Sequence, residues 1–185
     1  LVGSEMCIRD STLTDDEIQR LKACEKLCPH FHLSLQSGSD AVLKRMKRRY
    51  TSAEYLALVE KLRDVFPGCA ITTDIMVGFP GETDEEFAES MAFAEKVGFA
   101  KIHVFPYSIR KGTVAAMRTN QVVPQVKSAR AKEMSALADR LERQFLESQV
   151  GTVQTVLIEK RTSPDYCNGF TGSYIPVRIY GEDIP

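Results

Sequence analysis

Three stretches of the chain share one pattern of polar and apolar positions. Thr14-Asp15-Asp16-Glu17, Thr51-Ser52-Ala53-Glu54 and Thr83-Asp84-Glu85-Glu86 each have the capping-box form Thr-x-x-Glu, in which a hydroxyl and a carboxylate satisfy amide groups at a helix start. Behind them run apolar stripes at helical spacing: Ile18 and Leu21; Tyr55, Leu56, Val59 and Leu62; Phe87, Met91, Ala94 and Val97. Between the helices, Phe31 to Leu35 alternates apolar with polar, Ala70 to Phe79 is rich in β-branched residues, and Lys101 to Tyr107 carries Ile102, Val104 and Phe105. Strands alternating with helices predict βα units on a parallel sheet. Three such units are too few to close a barrel, so a partial barrel is expected, its remaining strands lying before residue 12.

Each predicted strand runs into a polar loop with glycine. These are Gln36 to Asp40, Gly78-Phe79-Pro80-Gly81-Glu82-Thr83, and Pro106 to Thr113, which holds Tyr107, Ser108, Arg110 and Lys111. In parallel βα architectures ligands bind where such loops converge, beyond the carboxyl ends of the strands. Tight turns alone also demand Gly and Pro, so any one loop is weak and the three together are the signal.

After Pro124 the pattern predicts a long helix to about Gln149, with Met134, Leu137, Leu141, Phe145 and Leu146 on its apolar face. Thr152 to Ile158 then alternates like a strand. A turn-rich stretch, Ser163 to Gly169, leads to a second strand near Tyr174 to Ile179. This predicts the beginning of a small antiparallel module, and two strands alone are marginal.

Composition narrows the classes. With 185 residues, 43% hydrophobic and 26% charged, the chain suits one core plus a small appended module. No apolar run approaches the roughly 18 residues of a membrane helix, and no signal peptide is evident, which excludes membrane-spanning functions. Net charge is -1, so nucleic-acid binding has to come from local basic patches. The five cysteines do not read as a secreted disulfide framework, and a cytoplasmic location is expected.

Cys28-Pro29-His30-Phe31-His32-Leu33-Ser34-Leu35-Gln36-Ser37-Gly38-Ser39-Asp40, with Val42 to Thr51 after it, resembles the fourth strand and its helix in the radical S-adenosylmethionine (SAM) methylthiotransferases. Thr72-Thr73-Asp74-Ile75-Met76-Val77-Gly78-Phe79-Pro80-Gly81-Glu82-Thr83 resembles the fifth strand, and Lys101 to Ser108 with Arg110 to Thr113 the sixth. Val153 to Ile179 is similar to the start of the TRAM module, which binds tRNA in this family. The resemblance implies three segments: 1–11, a foreign or unstructured stretch; 12–150, the carboxyl-terminal half of the barrel with its following helix; and 151–185, a truncated TRAM-like module.

What the resemblance implies is an enzyme that cleaves SAM reductively at one 4Fe-4S cluster, draws sulfur from a second, and modifies tRNA. The Pro-His-Phe-His-Leu-Ser-Leu-Gln-Ser-Gly form is closest to members that methylthiolate C2 of threonylcarbamoyl-adenosine 37. Members acting on isopentenyl-adenosine tRNA or on ribosomal protein S12 share the outline, and a non-catalytic RNA-binding remnant is the rival from another class. The implied partners are the tRNA anticodon arm, a sulfur donor for the auxiliary cluster and the missing amino-terminal part of the same enzyme. The family's Cys-x3-Cys-x2-Cys cluster motif is not met here: Cys24 and Cys28 have the first spacing, but the third position is Phe31. No catalytic residue and no metal ligand is therefore expected in this chain, which by itself is expected to be inactive.

The resemblance makes Gln36, Ser37, Asp74, Gly78, Phe79, Pro80, Gly81, Tyr107 and Ser108 the candidates for holding SAM. Each has a plainer alternative. Gln36 and Ser37 suit a self-bonded turn, Gly78 and Gly81 suit tight-turn geometry, and Asp74 within an apolar strand has to be paired with a neighbour or face the site. His32 and His103 suit structural roles on their strands. Arg45, Arg48 and Arg49, with Lys44 and Lys47, either complement a helix carboxyl end or contact RNA phosphates, and Arg110 and Lys111 share that choice.

Overall fold

Chain order and sheet order coincide in the computed structural model, which describes residues 6–8, 13–163 and 165–181. Strands β1 (Met6–Ile8), β2 (His30–Leu33), β3 (Ala70–Val77) and β4 (Lys101–Pro106) lie side by side, all parallel. Helices α1 (Asp15–Lys22), α2 (Asp40–Arg45), α3 (Ser52–Val65) and α4 (Asp84–Val97) fill the crossovers, and α5 (Pro124–Ser148) follows β4. Thr14, Thr51 and Thr83 all form the predicted capping boxes, each with the glutamate three residues on. One face of the sheet, through Phe31, Leu33, Ile71, Ile75 and Val77, is buried against Ile18, Val59, Leu62, Ala94, Val97, Met134 and Leu137 of the helices. The opposite face is concave and polar, as in half a barrel.

Two expectations need correction. Residues 1–11 are not wholly unstructured, because Met6–Ile8 forms a parallel ladder with β2, pairing Met6 with Phe31 and Ile8 with Leu33. Three residues between Glu5 and Arg9 show too little alternation to read as a strand, but they satisfy β2's otherwise open edge. The appended module likewise has three strands: β5 (Val156–Ser163), β6 (Tyr166–Thr171) and β7 (Pro176–Tyr180), joined antiparallel in that order. The stretch that reads as turn holds most of β6. Its Asn168 and Gly169 look like turn residues, but a Cβ at Gly169 would stand 2.3 Å from the Leu157 carbonyl oxygen, so close strand contact requires glycine there.

A bulge ends β2. His32 pairs with Thr72 and Gln36 with Ile75, so four steps along one chain (32 to 36) oppose three along the other (72 to 75). The Thr73 hydroxyl fills the break, donating to the Leu33 carbonyl at 2.6 Å and accepting the Leu35 N–H at 2.9 Å. Tyr55 donates to the same Leu33 carbonyl at 2.8 Å, and the Tyr50 hydroxyl lies 2.8 Å and 2.9 Å from the carbonyls of Ser34 and Leu35. The bulge leaves Gln36 in a left-handed conformation, φ 68°, at the strand's carboxyl end. That conformation is uncommon for a residue with a Cβ, and it is held by main-chain bonds to Asp74 and Met76.

Candidate cofactor and substrate site

The carboxyl ends of β2 and β3 frame a cavity of about 250 Å³, with Gln36, Met76 and Phe79 on the strand side. Arg45 at the end of α2 and Met46, Lys47 and Arg48 from the turn after it close one side of the cavity, and Val114, Ala115 and Arg118 close it from the loop after β4. Phe79 meets Tyr107 edge-on at 5.4 Å between ring centroids, and both pack with Val42 beneath the cavity. Two polar atoms nearby are buried without a hydrogen-bond partner among the described residues: Arg45 Nε, from the cavity lining, and the hydroxyl of Tyr107, which lines the neighbouring groove. An unmet buried donor is costly, and such atoms mark a place for a ligand or water.

The other candidates divide. Ser37 is fully buried and its hydroxyl is engaged by Ser90 at 2.9 Å and by the Ser39 N–H, so it ties the loop to α4. Gly78 and Gly81 have φ of +72° and +81°. A Cβ on Gly78 would meet Lys127 Cγ at 2.3 Å and one on Gly81 would meet Asn120 Nδ2 at 2.3 Å, side-chain atoms that can shift, so it is the left-handed backbone that calls for both glycines. Pro80 is buried, whereas Ser108 is exposed and lines an open groove against α5 with Lys127 and Ser128. Asp74 accepts the Gln36 N–H through its carbonyl, but its side chain leaves that neighbourhood for the concave face of the sheet. The structure therefore brings Gln36 and Phe79 into one cavity and separates them from Asp74, while Tyr107 packs against Phe79 but lines the groove that holds Ser108.

The basic candidates also divide. Arg45 makes a two-pronged ion pair with Glu86, at 2.8 Å between Nη1 and Oε1, and its own Nη2 against Oε2. That hydrogen bonding holds the Glu86 carboxyl below the usual carboxylate range and raises the guanidinium. The helix ends at Arg45, short of the rest of the basic run, so Lys47, Arg48 and Arg49 lie beyond it, and Lys47 has φ 59°. Arg49, Arg110 and Lys111 are exposed.

Sequence reasoning missed the clamp beneath these loops. Arg130 of α5 reaches Glu82 Oε1 at 2.7 Å, the Glu82 carbonyl at 3.1 Å and Asp84 at 2.6 Å, while Lys127 donates to the Tyr107 carbonyl at 3.1 Å. Glu82 in turn accepts the Gly78 N–H at 2.8 Å, and its burial pushes its carboxyl up against the pull of Gly78 and Arg130. A signal was available: Arg130 falls in step with Met134, Leu137, Ala138 and Leu141 on the buried stripe of α5.

Residues 4–94 match the family model described as the radical SAM superfamily. The chain is 39% identical over 180 residues to the threonylcarbamoyladenosine tRNA methylthiotransferase of Bacillus subtilis, covering 95% of this chain and 40% of that protein. It is 49% identical over 148 residues to the tRNA-2-methylthio-N6-dimethylallyladenosine synthase of Desulfotalea psychrophila, covering 80% of this chain and 33% of that one. The chain belongs to the radical SAM superfamily. Its half barrel is also similar to coproporphyrinogen III oxidase of Escherichia coli, described as a radical SAM enzyme, with TM-score 0.61 and 20% identity over 73% of this chain and 31% of that chain. That likeness speaks to the fold alone. The chain thus spans two fifths or less of these curated relatives.

Membership implies SAM and iron–sulfur chemistry, and the residues fit the two unequally. The strand-end cavity suits part of SAM: Met76 and Phe79 offer apolar walls to a purine, Gln36 a polar contact, and Arg45 an unmet Nε. Among the described residues the side chains do not fit a cluster. Phe31, at the third cysteine's position, is fully buried in the core, Cys24 is exposed and Cys28 half-buried. Among the described residues no group of three or more His, Cys, Asp or Glu is arranged to hold a metal ion. No helix among them is long and apolar enough to cross a membrane.

Proposed function

We propose that this chain is part of a cytoplasmic tRNA methylthiotransferase acting on C2 of threonylcarbamoyl-adenosine 37. The 39% identity to the Bacillus subtilis enzyme across 95% of the chain carries the reading. In the complete protein the cavity bounded by Gln36, Met76 and Phe79 receives the adenosine end of SAM, which supplies the radical and the methyl group. Gln36, held in place by the bulge, orients it, and Phe79 with Tyr107 excludes water. The auxiliary sulfur source and both clusters depend on residues outside this chain, which is inactive alone. Exposed Arg49, Arg110 and Lys111, on loops at the same end of the sheet, contact phosphates of the anticodon arm.

A second reading is favoured by the 49% identity to the Desulfotalea psychrophila enzyme: a dimethylallyl group on the target adenosine. Incubation of the anaerobically reconstituted full-length protein with SAM, reductant and each tRNA, followed by nucleoside mass spectrometry, tests both. Product on threonylcarbamoyl tRNA supports the first reading, product on dimethylallyl tRNA alone replaces it with the second, and no product on either overturns both.

A further inference from the structure

The loop after β3 is gripped from two sides. From α5, Arg130 Nη1 donates to Glu82 Oε1 at 2.7 Å and to the Glu82 carbonyl at 3.1 Å, while Nη2 reaches Asp84 at 2.6 Å. From the end of α2, Arg45 pairs with Glu86, whose Oε2 also accepts the Thr83 N–H at 2.9 Å. Glu82 passes the grip on, because the oxygen that takes Arg130 also accepts the Gly78 N–H at 2.8 Å. Gly78 stands at φ +72° and leads into Phe79, a residue of the cavity wall, whose carbonyl accepts the Glu82 N–H at 2.9 Å.

The Arg130 and Glu82 side chains are only 7% and 2% exposed. Burying such a pair is expensive, and apolar side chains of similar volume commonly join a helix to a loop as firmly. What an apolar pair cannot supply is an acceptor aimed at a main-chain N–H. Gly78 has no Cβ to restrict its backbone, so the bond to its N–H does much to set the shape of the turn. Glu82 supplies that bond, and Arg130 aims the carboxylate, since one guanidinium nitrogen holds both Oε1 and the main-chain oxygen of Glu82. The same helix steadies the next strand end: Lys127 donates to the Tyr107 carbonyl at 3.1 Å, and Tyr107 meets Phe79 edge-on.

We propose that Arg130 is a positioning residue for the ligand of the strand-end cavity: through Glu82 and the Gly78 N–H it fixes where Phe79 stands, and thereby how tightly the cavity holds the adenosine end of SAM. The proposal rests on the reading that this cavity receives SAM, and adds to it a residue outside the cavity lining. A wall held in place beforehand spares the ligand the cost of ordering it on binding. Loss of the clamp therefore weakens binding without removing any group of the cavity wall.

The test uses the full-length protein, anaerobically reconstituted to equal iron content and left unreduced so that SAM is not cleaved. Labelled SAM is followed by equilibrium dialysis, and every variant is also melted. Arg130→Met should bind SAM roughly 10-fold more weakly, the equivalent of one well-placed contact. Glu82→Gln separates positioning from stability. It abolishes the ion pair, so its melting temperature should fall. Its amide oxygen can still accept from both Gly78 and Arg130, so its affinity should stay within about 3-fold of the parent's. Arg130→Lys serves if the methionine variant does not fold: it keeps a cation beside Glu82 but not the fork, and its affinity should also fall. Unchanged affinity in the Arg130 variants, or a loss in Glu82→Gln as large as theirs, overturns the proposal. Phe79→Ala tests the reading beneath it. Weaker binding by Phe79→Ala with unchanged Arg130 variants overturns the positioning role alone, whereas unchanged binding by Phe79→Ala overturns the placement of SAM in this cavity and the proposal with it.

Discussion

Arg130 and Glu82 form an ion pair at 2.7 Å with both side chains buried, joining the long helix to the loop that follows β3. The pair sits under Gly78 and Phe79, so its loss should be felt at the strand ends. Removing one partner of a buried pair strands the other charge and costs about 3 to 5 kcal/mol. Arg130→Met should therefore destabilise the chain by about that amount at pH 7. Its pH dependence has a definite sign. Glu82 already has a carboxyl pushed up by burial, and losing Arg130 raises it further above the unfolded value near 4.3. An acid raised in the folded state contributes stability below its unfolded pKa and loses it as pH rises through the folded one. Urea melts at pH 4.5 and 7.5 should show the smaller deficit at pH 4.5.

Arg45 should behave as a structural residue and not as an RNA contact, because Glu86 takes both ends of its guanidinium. Arg45→Gln is expected to cost roughly 1 to 3 kcal/mol at neutral pH. Glu86, held below the usual carboxylate range chiefly by Arg45, contributes stability above its unfolded pKa and loses it as pH falls through its folded one. The deficit of Arg45→Gln should therefore shrink below about pH 4. The triple change Arg49→Gln, Arg110→Gln, Lys111→Gln should do the reverse in the full-length protein. Stability stays, while the slope of log tRNA affinity against log salt becomes shallower by roughly 0.7 to 0.9 for each phosphate that is no longer neutralised. A steep, unchanged slope in the triple variant would remove these side chains from the RNA surface.

Where a signal is local, the sequence carried it. Thr14, Thr51 and Thr83 each need only a glutamate three residues away, and the three helix starts follow. The alternation of Phe31 to Leu35 placed β2 but not its bulge, because the bulge depends on the Thr73 hydroxyl 40 residues from Leu33. Strand β6 was hidden because Asn168 and Gly169 favour turns in isolation, and only the closeness of Leu157 makes glycine the fitting residue. At the site, Gln36 and Phe79 were legible as loop residues and do share a cavity. Asp74 was legible as an anomaly in an apolar strand, but its direction was not, since that is set by His32 and Ser34. Arg130 was masked by its own charge, although its spacing put it on the buried stripe.

Gly38 should tolerate no side chain. A Cβ there would stand 2.7 Å from Phe93 Cβ and 2.9 Å from Ser90 Cα, and neither atom can swing away as the end of a flexible chain could. Gly38→Ala therefore has to push the loop off α4, breaking the bond from the Gly38 N–H to the Ser90 hydroxyl at 2.9 Å. Overpacking of this kind costs about 1 to 3 kcal/mol. Thermal melting of the variant beside Ser90→Ala separates the two effects: the serine change removes the hydrogen bonds and leaves the space. If Gly38→Ala is no worse than Ser90→Ala, the close approach is not what selects glycine.

Iron should not assemble on this chain despite its paired cysteines. Cys24 follows α1 in an exposed turn and Cys28 is half-buried, which is a reachable pair. A four-iron cluster of the radical SAM type needs a third thiolate, and the position three residues beyond Cys28 is Phe31, fully buried against Phe66 at 5.1 Å between ring centroids. Cys69 offers no substitute, since burial raises its thiol to about 11, far from the thiolate that binds metal. Anaerobic reconstitution with ferrous iron and sulfide, followed by desalting and iron assay, should leave well under one iron per chain. The change Phe31→Cys is the sharper arm. It completes the spacing in sequence but points its sulfur into the core, so it should lower the melting temperature and still bind no stoichiometric iron. Four irons on the unmodified chain would mean that Cys24 and Cys28 find ligands the described residues do not bring together. Four on Phe31→Cys alone would mean that β2 can turn its buried face outward.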